Sequence, residues 1–140
     1  MGNSQSMQKI NYEDVQNLLQ GSDESLLINT MQLNEQTCLI PKTCFASNEE
    51  KLINELISDD KKETTIFIYG KNSNEEKIYQ KYNDLKALGF KNVYLYLGGM
   101  FEWLLLQDIY GKELFPTTTM ELDILKYRPI SNNLKTIRYN

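Results

Sequence analysis

The chain predicts a single α/β domain with a mostly parallel central sheet and helices on both faces. Three observations carry that prediction. The runs "SLLINT" (25–30), "TTIFIY" (64–69) and "NVYLYL" (92–97) are apolar, short, and mostly rich in β-branched or aromatic residues, as buried strands are. The stretches between them place apolar residues at helical spacing, with capping residues in front and glycine behind. Strands and helices alternate, which favours crossover connections and therefore parallel strands. No internal repeat or linker interrupts the pattern. The expected division is a flexible arm over 1–8, the domain over 9–128 and a basic tail over 129–140.

The elements follow in order. Asn11 is a good N-cap, Glu13 and Asp14 suit a first helical turn, and Val15, Leu18 and Leu19 form one apolar stripe that Gly21 ends. After the first strand, "MQLNEQTCLIPKTCF" has little periodicity and reads as a loop with Leu39 and Ile40 pinned before Pro41. "SNEEKLINELISDD" opens with a cap and early acids, and turns Leu52, Ile53, Leu56 and Ile57 to one side. "TTIFIY" is the strongest strand. Ser73 and Glu76 have the spacing of a capping box, which predicts a helix to Leu88 with Ile78, Tyr79, Tyr82, Leu85 and Leu88 inward and Gly89 past its end. Gly98 and Gly99 predict a tight turn into an aromatic helix. Thr118 or Thr119 could cap one more short helix before Pro129.

Composition narrows the chemistry. With 140 residues, 41% of them hydrophobic, the chain can bury one core. A net charge of −4 gives no electrostatic footprint for nucleic acid, although Lys126, Arg128, Lys135 and Arg138 follow Ile124 with no acid among them. There is no His, so the commonest general base and metal ligand are both missing. Cys38 and Cys44 alone cannot build a zinc site, and neither a metal nor another cofactor is expected. The two Cys, with no secretory segment, fit a reducing compartment. No apolar run approaches the ~18 residues that span a bilayer.

The stretch "LGFKNVYLYLGGMFEW" makes the pattern specific. A helix, Gly89 and Phe90, a strand at Val93, then Gly98, Gly99 and Trp103 resemble the closing motif of the rhodanese (sulfurtransferase) domain. Ile10 before the first helix, "LLIN", Glu35 with "LIP", and "IFIY" fall in that family's order, so the resemblance covers about residues 9–115. It implies a three-layer α/β sandwich. It also implies an active loop after the "IFIY" strand, in which a Cys is encircled by backbone N–H groups that stabilise its thiolate. Matched by position, that nucleophile falls on Gly70. The family's loop cation falls about at Glu75, and its supporting Asp and Arg fall at Asn29 and Met31.

The resemblance therefore implies a degenerate loop, Gly70, Lys71, Asn72, Ser73, Asn74 and Glu75, without sulfurtransferase activity and with no catalytic residue. Such a loop could still cradle an anion or phospho-ligand on its N–H groups with help from Lys71, with a nucleophile supplied from elsewhere. Glu75 and Glu76 would oppose this. Cys38 and Cys44 are expected to be inert, and Trp103 to be core. Leu104, Leu105, Ile109, Tyr110 and Phe115 are more apolar than one short helix can bury, and could form a surface for a partner, a second copy or a larger assembly, or line the mouth of the old active site.

The first residues, "MGNSQS", match the myristoylation pattern: loss of Met1 would expose Gly2, with Ser6 in place. One acyl chain binds membranes only marginally, and the sparse basic tail is a candidate second signal. The expectation is a binding or structural module, cytoplasmic and held at a cytosol-facing membrane, or else a subunit of an organelle or cytoskeletal assembly.

Overall fold

The computed structural model describes residues 7–22 and 24–131. Its four strands are β1 (Lys9–Ile10), β2 (Leu26–Asn29), β3 (Ile66–Tyr69) and β4 (Val93–Tyr96). They pair in the order β1-β4-β3-β2, and every pairing is parallel. Four α-helices cover the sheet: α1 (Tyr12–Gln20), α2 (Ala46–Ser58), α3 (Glu76–Ala87) and α4 (Gly99–Tyr110). Two 3₁₀ turns, Leu33–Glu35 and Ile124–Tyr127, lie outside them.

β3 is the central strand, and its burial explains the layers. All four of its residues are buried, and they alternate between two cores. Phe67 and Tyr69 face the side of α1 and α4, with Val15, Met100 and Trp103. Ile66 and Ile68 face the side of α2 and α3, with Ile53, Ile78, Tyr82 and Leu85. A strand apolar on both faces has to be covered on both, and this gives the expected three-layer sandwich.

Local signals place the helices. The Asn11 side chain accepts from the Glu13 and Asp14 amides, and the Asp14 carboxylate accepts from the Asn11 amide, which completes a capping box on α1. Past α3, Gly89 adopts φ +102°, the left-handed end the sequence predicts. Leu88 differs from expectation: it is the C-cap of α3, beyond the buried Ile78, Tyr82 and Leu85, and is exposed.

The Ser73–Glu76 capping box does not form. α3 starts at Glu76 with no side-chain cap, since Ser73 lies within a turn organised by Asn72. Among the described residues no α-helix follows Thr118 or Thr119 either; their hydroxyls bond to the Leu39 amide and the Thr37 carbonyl instead. The tryptophan is core, as expected. Trp103 is fully buried, edge-on to Tyr96 and Phe115, and its indole N–H donates to the Pro116 carbonyl at 2.8 Å. Trp103→Ala should therefore lower unfolding stability by about 3–5 kcal/mol. The check is a lower urea midpoint by circular dichroism with an unchanged slope.

Candidate functional site

In an open parallel sheet the strands' carboxyl ends are where ligands gather. Here the loop 70–75, after the central strand, lies at that end between the loop that leaves β2 and the start of α4. Gly70 is buried, immediately after Tyr69. Its carbonyl accepts from the Met100 amide at 3.0 Å, and the Lys71 carbonyl accepts from the Phe101 amide at 2.9 Å. Two N–H groups of α4's first turn, which no helix can satisfy internally, are thus capped by the loop. This apposition needs a glycine on the helix side. Gly99 has φ +63°, and a Cβ there would stand 2.5 Å from the Gly70 oxygen.

Asn72 holds the rest of the loop. It is buried, its Oδ1 accepts from the Asn74 amide at 2.9 Å, and its Nδ2 donates to the Tyr127 carbonyl at 2.8 Å. The Glu75 amide turns back to the Asn72 carbonyl at 3.4 Å. Two loop N–H groups are therefore spent within the loop. Ser73 and Asn74 are exposed, and the Ser73 carbonyl accepts from the Tyr79 hydroxyl at 3.1 Å. Beside them an open groove of about 450 Å³ runs to Ile130 and Ser131.

Lys71 is not free for an anion. Its ammonium lies 2.9 Å from the Glu35 carboxylate, with both side chains largely covered. Burial pushes the Glu35 carboxyl up, but the hydrogen bonds from Lys71 and the Gln32 amide outweigh it and hold the group below its ordinary range. The space a side chain at position 70 would need is also taken. A Cβ there would stand 3.0 Å from Ile78 Cγ2, 3.1 Å from Thr30 Oγ1 and 3.3 Å from Glu75 Cβ. Thr30 Oγ1 is itself buried without a hydrogen-bond partner.

The remaining sequence-predicted residues divide. Asn29 is buried at the end of β2 with its Oδ1 accepting from the Met31 amide, and Met31 is core. Cys38 is buried under Thr119, whose carbonyl it faces at 3.4 Å; Cys44 is half-buried, and burial followed by the nearby Glu49 carboxylate pushes its thiol up. Of the five apolar residues expected at a surface, Leu104 and Phe115 are 1% and 3% exposed and belong to the core. Phe115 folds back against Trp103 and Tyr12, which removes it from that surface. Leu105, Ile109 and Tyr110 are exposed, the last two at 68% and 60%. Gly2, Lys135 and Arg138 lie outside the described residues.

Tyr127 was not singled out by the sequence, although it is 1% exposed and supplies the carbonyl that holds Asn72. The one available hint was the pair Asn72 and Asn74, since Asn favours turns closed by its own side chain.

The Glu35–Lys71 pair makes a pH prediction. The folded carboxyl titrates below its unfolded value, so its stabilisation is complete above about pH 4.3 and is lost as pH falls through the folded value. Glu35→Gln should melt below the wild type at neutral pH. The gap should narrow as the buffer is taken below about pH 4, followed by thermal unfolding across the range.

Comparison with known proteins agrees with this architecture. The rhodanese-like domain family matches residues 13–106. Fourteen chains of solved structure also match. The chain is similar to the rhodanese-like domain of the Alr3790 protein from Anabaena sp., at 19% identity and TM-score 0.55, covering 96% of this chain and 91% of that one. It is similar to the As-Sb reductase of Leishmania major, at 22% identity and TM-score 0.53, covering 76% and 81%. It is also similar to a single-domain sulfurtransferase of Saccharomyces cerevisiae, at 17% identity and TM-score 0.53, covering 82% and 100%. Likeness at these identities shows the fold. No curated protein matches the chain. The family match spans well over half of the sequence and takes in β2, β3, β4 and the loop just described, so the chain belongs to the rhodanese-like domain family.

Proposed function

We propose that this domain binds rather than reacts: it is a protein-binding or structural module without sulfurtransferase chemistry, carried at a cytosol-facing membrane by acylation of Gly2. Residue 70 carries the first half. It is the first residue after the central strand, where the resemblance puts the family's nucleophile, and it ends at Cα. Two neighbours of the fold bear enzyme names, so the fold leaves activity open and the chemistry of this loop decides the reading. Asn29 and Met31 in place of an acid and a base, and Glu75 in place of a cation, support the same reading. So does the occupied space around Gly70.

The competing reading is an anion or phospho-ligand held by the 70–76 backbone, with a nucleophile brought by substrate, water or a partner. The ion pair that engages Lys71 and the amides already bonded to Asn72 weigh against it. Partner binding is better served by the exposed Leu105, Ile109 and Tyr110, where a second protein, a second copy or a larger assembly could dock. Among the described residues no helix is long and apolar enough to cross a membrane, so attachment would rest on the acyl group.

Sulfur transfer from thiosulfate to cyanide tests the chemistry. Neither the wild type nor Gly70→Cys should form thiocyanate. The added side chain would meet Ile78, Thr30 and Glu75, and should destabilise the fold by about 1–3 kcal/mol. Wild-type turnover that survives replacement of Cys38 and Cys44 would refute the reading, and turnover gained by Gly70→Cys would show a cradle already shaped for sulfur.

Lipidation has a separate test. The intact mass of protein from its native cells should show loss of Met1 and gain of one fourteen-carbon acyl group. An unmodified N-terminus would remove the membrane half of the proposal.

A further inference from the structure

The segment after α4 crosses the mouth of the site. Residues 117–131 contain no strand and no α-helix, only the 3₁₀ turn Ile124–Tyr127. The family match ends at Leu106, before this segment begins. It is tied to α4 at its root, where the Thr117 hydroxyl accepts from the Gln107 side-chain amide at 3.1 Å, and is stitched down at two further places. At one, the Thr118 amide donates to the Leu39 carbonyl at 2.8 Å, its hydroxyl accepts from the Leu39 amide at 3.0 Å, and Thr119 covers Cys38. At the other, Tyr127 buries its ring in the α1/α4 core and takes the Asn72 hydrogen bond.

Three features leave this strap lightly held. Its outer face leaves Met120, Leu122, Leu125 and Ile130 exposed, so few of its apolar side chains hold it down. Lys126 and Arg128 bond within the strap, to Glu121 and to the Leu125 carbonyl, and tie it to nothing else. The Tyr127 hydroxyl is buried and finds no hydrogen-bond partner, which penalises the docked state. Segments with few buried contacts open locally at a smaller free energy than the whole domain needs.

We propose that residues 117–131 form a lid that lifts as one unit while the sheet stays folded, and that lifting both uncovers Cys38 and frees Asn72. Asn72 couples the two sides: its Nδ2 holds the lid, and its Oδ1 shapes the 70–75 turn. An open lid therefore means a slack loop, and a partner that captures the lid reaches the loop through one side chain. This holds whether or not the loop performs any chemistry.

The test uses the full chain carrying Cys44→Ser, so that Cys38 is the sole thiol, with 5,5′-dithiobis(2-nitrobenzoic acid) as probe and β3 amide exchange as the monitor of global unfolding. Cys38 should become reactive through an opening about a hundredfold or more frequent than that of β3, with little dependence on low urea, while β3 exchange rises steeply. Asn72→Ala should speed labelling about five- to tenfold, and Tyr127→Phe, which deletes the orphaned hydroxyl, should slow it about fivefold. The proposal fails if Cys38 shares the opening constant and urea slope of β3, since the lid would then leave only when everything unfolds. It also fails if Asn72→Ala leaves labelling unchanged, since loop and lid would then be uncoupled.

Discussion

The contact on which the rest depends is the backbone-to-backbone meeting of the loop after β3 with the first turn of α4. The carbonyls of Gly70 and Lys71 fill the hydrogen-bonding needs of the Met100 and Phe101 amides, and only a residue without Cβ fits at position 99. A helix end and a strand end are locked together with no side chain involved. That lock orients the start of the loop through backbone atoms alone. It also turns those two carbonyls, rather than amides, toward α4. What the loop offers solvent is set by the side chains of Ser73, Asn74 and Glu75.

Electrostatics in the loop are already balanced from inside. Glu35 meets Lys71 on one flank, and Asn72 takes up amides on the other. An incoming anion would have to break a largely covered ion pair and then find Glu75 beside it. The same closure operates in the core beneath. The Thr43 hydroxyl gives its proton to the Ile40 carbonyl at 2.5 Å, so the Tyr69 hydroxyl must donate to Thr43, at 2.7 Å, while it accepts from the Ile40 amide. Burial pushes that phenol well above its ordinary range, so it stays neutral and structural.

Most of the fold was legible in the sequence where local chemistry and burial agreed. Asn11 capped its helix, Gly89 ended another, and the run from Ile66 to Tyr69 alternated between two cores as a doubly covered strand must. What was not legible depended on distant partners. β1 has two residues, too few for any periodicity, and exists because β4 pairs with it. The Ser73–Glu76 spacing fitted a capping box, but Asn72, anchored from 55 residues away, imposed a different turn. Leu104 and Phe115 looked superfluous on a short helix because nothing in their neighbourhood indicated that the chain doubles back over Trp103. The candidate loop was half legible: the family resemblance pointed to the residues after Tyr69, and their closure by Glu35, Ile78 and Tyr127 required three dimensions.

Trp103 is the chain's only tryptophan, and its indole is dry, aromatic-packed and hydrogen-bonded to the carbonyl of Pro116, one residue before the covering segment begins. The domain therefore carries an intrinsic fluorophore at the root of that segment. Blue-shifted emission would mark that root as seated, and a red shift with quenching by dissolved acrylamide would mark it as wet. No dye or engineered label is required to watch this region.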